Sequence, residues 1–345
     1  MKPISSTLIA IFLLGLCVSV AAGQQGDASA RGRGLAEQGK FKEAAEALQA
    51  AVETHPKSAI NYRYLSWALL ELKQTKEGIE AARTAISLDP DDAVAYNNLG
   101  WGLIVLDQMD EAFEALKRSL SLSPKYYLAL NNMGWALIKQ NRPEEAVEFL
   151  KASIASKPDY EKAHQNLAHA YFRIGKHQDA AAEFETLIRL QPNVASNYSG
   201  LGGALMNSGK QALAVDAFQR ALSLEPDNVQ SMKDLAIAYM GSGRLEDSIG
   251  MLRQVVSLRP KNHDALLSLG MALQMARRYE EAVGVLKEAV EVNPNSERAV
   301  MVLAMTLVSK GDKPAAREWL PKLKELDEDL AAILEKAISG KATIK

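Results

Sequence analysis

Cysteine is nearly missing from this chain: 345 residues hold one, Cys17, inside an apolar run near the N-terminus. With residues 1–23 removed, nothing is left to form a disulfide, a thiolate metal site or a thiol nucleophile. Aromatic residues are scarce at 6%, and the abundant alanine points to close helix packing rather than a bulky β core. Neither charge is in excess, with 40 Lys and Arg against 42 Asp and Glu. The basic residues are scattered, so neither nucleic acid nor an anionic membrane surface is an expected partner. Catalytic signatures are missing too. His164 and His169 stand five apart, about 140° from each other on a helix, unlike the i,i+4 pair of a metal-binding helix. The stretch GLGGALMNSG at 200–209 follows no predicted strand, so it is no phosphate loop. No nucleophile elbow and no paired catalytic carboxylates are visible. The expectation is a protein with no catalytic residues, no metal ligands and no cofactor.

The first 23 residues form a separate object. Lys2 precedes an apolar run from Leu8 to Val20, and Ala21-Ala22-Gly23 supplies small residues suited to cleavage. This composition predicts a secretory signal peptide over 1–23. The run is short of the roughly 20 apolar residues of a membrane span, which disfavours a retained anchor. Leu16 is too large for the position before a lipid-modified cysteine. The mature chain is therefore expected to be exported, periplasmic or secreted in a bacterial envelope, with no membrane insertion after cleavage.

What the remainder does contain is a period. Pro56, Pro90, Pro124, Pro158, Pro192, Pro226, Pro260 and Pro294 are each 34 residues apart, eight of the chain's twelve prolines. Each follows a helical pattern such as DQMDEAFEALKRSLSLSP, so each reads as a helix stop. Counting from three residues after each proline, the seventh position is large and apolar: Leu65, Leu99, Met133, Leu167, Leu201, Leu235, Leu269, Leu303. The eighth is small, the eleventh large, and the twentieth small again, as in Ala112, Ala146, Ala180 and Ala214. Turn residues such as Gly175, Gly209, Gly243 and Gly311 divide the two halves. Small residues at the eighth and twentieth positions let two antiparallel helices approach closely.

This pattern resembles the tetratricopeptide repeat over residues 28–328. The resemblance implies an all-α fold, a right-handed α-solenoid (superhelix) of 34-residue helix-turn-helix repeats. The expected organisation is a degenerate N-terminal repeat at 24–58, seven repeats at 59–296, and a final repeat with a capping helix at 297–345. Arg31, Gly32 and Arg33 weaken the first unit, Pro321 interrupts the last, and LDEDLAAILEKAIS supplies the amphipathic cap.

On a helical wheel the second, fifth, ninth and twelfth positions fall about 140–220° from the buried seventh, and the sixth flanks them. The resemblance places that face in the concave groove. In three successive units the face carries Trp67, Trp101 and Trp135, rising roughly 10 Å per step from interhelical packing distances. Asn97, Asn131, Ile104 and Ile138 share it, and His169 and Phe172 continue it. An apolar stripe opposite the core either binds something or wedges between repeats as filler. Asn98, Asn132 and Asn166 hold the sixth position, and amides there can pair with a backbone N–H and C=O. They look like three rungs of the asparagine ladder in the superhelical domain of O-linked N-acetylglucosamine transferases, which holds extended polypeptide, with Gly200, Asp234 and Ser268 at the later positions. The alternative is a bond to a neighbouring helix. Further along, Met240, Met271, Met275, Met301 and Met305 gather at the C-terminal end.

The expected function is a non-catalytic protein-protein interaction scaffold that binds a protein or peptide segment in its groove. The alternatives are an envelope polysaccharide stacked on the tryptophans, or a substrate-recognition subunit for a separate enzyme.

Overall fold

The computed structural model describes residues 28–340, so the proposed signal segment and Cys17 lie outside the described residues. Within them the chain is all-helical, with no strand. Helix α1 (28–37) is followed by α2 (Phe41–Thr54), and thereafter first and second helices alternate. The first helices are α3 (Ala59–Glu71), α5 (Ala93–Val105), α7 (Tyr127–Lys139), α9 (Glu161–Arg173), α11 (Ala195–Asn207), α13 (Val229–Gly241), α15 (His263–Met275) and α17 (Glu297–Lys310). The second helices are α4 (Thr75–Leu88), α6 (Met109–Leu122), α8 (Pro143–Ser156), α10 (His177–Leu190), α12 (Gln211–Leu224), α14 (Leu245–Leu258) and α16 (Tyr279–Val292). The fold is a tetratricopeptide-type α-solenoid. It divides into two compact units, one up to Ile174 and one from Gly175.

The proline comb acts through the residue before it. A proline ring excludes its predecessor from the helical region, and Asp89 accordingly leaves α4 at φ −139°, ψ 93°. At the opposite turn the chain reverses through a left-handed residue at one fixed position. Gly39, Gly175, Gly209, Gly243 and Gly311 serve there, and so do Lys73, Asp107, Asn141 and Arg277.

The seam between paired helices is set by the small eighth position. A Cβ added at Gly134 would lie 2.5 Å from Leu150 Cγ, and one at Gly270 would lie 2.4 Å from Leu286 Cγ. Leu116, Leu150, Leu252 and Leu286 are fully buried at the matching position of the second helices. Each such side chain contributes about 1.5–3 kcal/mol by leaving water.

In the first unit, α3 touches α5, α5 touches α7 and α7 touches α9, while the second helices do not meet one another comparably. The first helices therefore crowd on the inner side of that unit's curve. In the second unit the chain closes with α18 (Lys313–Glu318), α19 (Leu320–Leu326) and α20 (Glu328–Ser339). Pro321 is the second residue of α19, so the interruption read from sequence is a break between two short helices. α20 buries Ala331, Leu334 and Ile338 against the core of this unit.

Candidate functional site

The first unit holds an apolar-walled cavity of about 240 Å³ among α3, α5 and the start of α7. From α3 it is lined by Arg63, Tyr64, Trp67, Leu70 and Glu71. Val94, Asn97, Asn98 and Trp101 come from α5, and Tyr126, Leu128 and Asn132 from the beginning of α7. The positions that contribute are largely the second, fifth, sixth and ninth, because first helices at adjacent steps present those positions to one another's side of the curve.

Trp67 and Trp101 are half-buried and share this cavity. Trp67 also packs edge-on against Phe41 of the preceding repeat, with ring centroids 5.5 Å apart. Trp67 therefore wedges against the preceding repeat and also lines the cavity. Trp135, likewise half-buried, is not part of the lining; it tilts against the exposed His169 at 6.2 Å. Its ring is nonetheless partly desolvated, and that, then the charge of Arg173, hold the His169 imidazole below its ordinary pKa. Phe172 is exposed on the same helix.

Two sequence expectations change. Ile104 and Ile138 are buried, each 1% exposed, and offer no surface to a partner. The reason is visible one step earlier, where Leu70 tucks against α5: a Cβ on Gly102 would lie 3.0 Å from its Cδ2. The tenth position of the first helices is small throughout this unit (Ala68, Gly102, Ala136, Ala170) and fully or almost fully buried, so it leaves room for the twelfth-position side chain of the preceding repeat. The asparagines change role as well. Asn98 Nδ2 donates to the Arg63 carbonyl at 3.1 Å. Asn132 Nδ2 donates to Asn97 Oδ1, and Asn166 Nδ2 to Asn131 Oδ1, both at 2.9 Å. Asn131 Nδ2 in turn donates to Asn132 Oδ1 at 3.4 Å. The sixth-position amides thus tie α5, α7 and α9 each to the first helix before it.

What the ladder leaves over is specific. Among the described residues Asn97 Nδ2 and Asn98 Oδ1 carry no hydrogen bond, and neither atom is sealed from solvent in the cavity that both residues line. One donor and one acceptor are therefore open beside two tryptophans.

The polar end of the cavity was not anticipated from sequence. Asp92 caps α5 by accepting from Val94 N and Ala95 N at 3.0 and 3.1 Å. The same buried carboxylate pairs with Arg63 at 3.2 Å, which fixes the guanidinium over the Tyr64 ring. Tyr126 completes this wall. Burial pushes its hydroxyl far above the usual range, aided by Tyr127 and opposed by Arg63, so it remains a neutral donor. Tyr64 donates to Glu37 at 2.7 Å, and that bond is the main reason its own pKa is raised.

In the second unit the corresponding face is polar and then methionine-rich. Lys233 and Asp264 approach to 3.9 Å, and Gln230 donates to Asp234 at 2.9 Å. Burial raises the Asp234 carboxyl despite that bond. Met240, Met271, Met301 and Met305 pack partly buried against the core, and Met275 is exposed. Among the described residues no cluster of His, Cys, Asp or Glu is arranged to hold a metal ion, and no helix is long and apolar enough to cross a membrane.

Solved structures share this architecture. A tetratricopeptide repeat protein from Parabacteroides merdae matches with a TM-score of 0.56 at 15% identity, over 72% of this chain and 98% of that one. PilW, a widely conserved type IV pilus biogenesis factor, matches at 0.53 with 19% identity, over 62% and 98%. Pseudomonas aeruginosa pilF matches at 0.52 with 21% identity, over 59% and 92%. At these identities the likeness is one of fold. No curated protein matches by sequence. Among protein families, residues 29–93 and 93–126 match tetratricopeptide-repeat models. Residues 127–336, more than half of the chain, match the family described as the Cilia and flagella-associated protein 70 C-terminal domain, itself a tetratricopeptide array. The chain thus belongs to the tetratricopeptide-repeat proteins, and over its larger matched part to that family.

Proposed function

We propose that this protein is an exported, non-catalytic scaffold that holds a polypeptide segment along the first-helix face of its first unit. Family membership supports the coarse role, since tetratricopeptide arrays are protein-protein interaction scaffolds. The finer reading rests on one observation: Trp67 and Trp101 line a single cavity in which Asn97 Nδ2 and Asn98 Oδ1 are unspent. Aromatic walls supply apolar anchoring. The open donor and acceptor match the C=O and N–H that an extended chain must satisfy on leaving water. The composition of residues 1–23 supports export to a bacterial envelope.

A photo-crosslinking side chain placed at Leu128, on the cavity wall, tests the binding role in the native host. The expected product is a crosslinked polypeptide, lost when Trp67 and Trp101 are both replaced by alanine at unchanged helicity. A crosslinked glycan in its place would favour the polysaccharide alternative, and an adduct indifferent to both tryptophans would move the site elsewhere. Export is tested by the mass of the purified chain, expected to lack residues 1–23.

A further inference from the structure

We infer that the cavity between Trp67 and Trp101 receives a cationic side chain, lysine or arginine, of the bound segment. This deepens the peptide-binding reading above and rests on it. The argument is one of charge. Two charged residues line the cavity, Arg63 and Glu71. Arg63 is already neutralised by the buried Asp92 at 3.2 Å. Glu71 is exposed and makes no ion pair and no hydrogen bond among the described residues. The net charge of the recess is therefore that of one uncompensated carboxylate.

Its neighbours suit the same occupant. Trp67, Trp101 and Tyr126 line the recess, and electron-rich ring faces attract ammonium and guanidinium groups, tryptophan most strongly. The apolar wall of Leu70, Val94 and Leu128 matches the methylene stem of a long basic residue, whose head can then reach Glu71. A plain aliphatic side chain would fill the wall but leave the carboxylate unused.

Position along the array points the same way. Glu71 occupies the last residue of α3. Two and three repeats later the same place holds Lys139 and Arg173, which reach back to the carbonyls of Ile104 and Ile138 at 3.3 and 3.0 Å. Those basic residues stitch first helices together; Glu71 has no such contact, and its charge is left facing the recess.

The experiment labels the full mature chain with 5-fluorotryptophan, giving four fluorine resonances from Trp67, Trp101, Trp135 and Trp319. It titrates this protein with the N-acetyl methylamides of lysine, arginine and norleucine at low salt. The lysine and arginine probes are expected to shift the Trp67 and Trp101 resonances saturably, at concentrations about tenfold below norleucine, as a cation–π contact with one half-exposed ion pair allows. Glu71→Gln should erase most of that advantage with helicity unchanged. Norleucine binding as tightly as lysine would overturn the cation while leaving the peptide-groove reading intact. An advantage unchanged in Glu71→Gln would overturn it too, because the pairing charge would lie elsewhere. If no probe moved either resonance, the cation site would fall, and the groove would be judged by crosslinking alone.

Discussion

Asn132 donates its side-chain amide to the side-chain carbonyl of Asn97, 35 residues earlier in the chain, at 2.9 Å with both residues buried. The contact recurs one repeat later between Asn166 and Asn131. A buried amide that loses its partner bears a desolvation cost of about 1–3 kcal/mol. Asn132→Ala should therefore lower stability by about that amount, because it strands Asn97 Oδ1 and Asn131 Nδ2 together. Urea denaturation of Asn97→Ala, Asn132→Ala and the double variant measures the coupling directly. The sum of the two single losses should exceed the loss in the double variant by roughly 1 kcal/mol, as expected for contacting groups. Strict additivity would mean that the ladder is incidental.

Three buried serines divide by their partners. Ser119 and Ser153 donate to the carbonyls of Ala93 and Tyr127 at 2.7 and 2.8 Å, each tying a second helix to the start of its own first helix. Ser66 is equally buried, but its Oγ has no partner among the described residues. Its position is the small eighth one, where other repeats use glycine or alanine. Ser66→Ala should raise stability by about 1 kcal/mol by removing an unsatisfied hydroxyl, whereas Ser153→Ala should lower it by a similar amount. Opposite shifts of the urea midpoint are the expected result.

The repeat, the helix pairs and their turns were legible because proline and the large and small columns act locally and recur without insertion. The site was legible in part. The wheel puts Trp67 and Trp101 on one face and both line one cavity, since a helical wheel locates a side chain relative to its own axis. The same wheel misplaced Ile104 and Ile138, because it carries no information on how far the next first helix overlaps that face. The signal was present in the small column Ala68, Gly102, Ala136 and Ala170, which marks close approach between first helices. Asp92 and Tyr126, which meet Arg63 at the polar end, were missed for a different reason. Their meeting joins a helix face, a cap and the start of the following first helix, and no periodicity links those three.

The left-handed turn residues give a stability test that does not touch any site. Lys73 and Arg277 adopt φ 62° and 60°, where Gly209 and Gly243 serve in other repeats at 79° and 76°. A side chain in this region costs roughly 1–2 kcal/mol, part of which is offset by the greater freedom of glycine in the unfolded chain. Lys73→Gly and Arg277→Gly should each stabilise by about 0.5–1 kcal/mol. Gly209→Ala should destabilise by about 1 kcal/mol or more, although nothing lies within contact of its added methyl group. Strain is thereby separated from packing.

His169 supplies the pH dependence. Its ring lies 6.2 Å from that of Trp135, and burial, reinforced by Arg173, lowers its pKa in the folded chain. In the unfolded chain an imidazole titrates near about 6.5. As pH falls below that value the unfolded state therefore binds a proton before the folded state does, and stability from the neutral ring is progressively lost down to the folded pKa. Above about 6.5 it is fully present. A protonated imidazole quenches a nearby indole more strongly than a neutral one. Acidification should thus reduce Trp135 emission with a midpoint below about 6.5, and His169→Gln should abolish that step. Trp67, Trp101 and Trp319 provide a constant background in the difference between the two proteins. A midpoint above that of a free imidazole would show that the ring is stabilised as a cation, which would contradict both the burial and the repulsion from Arg173.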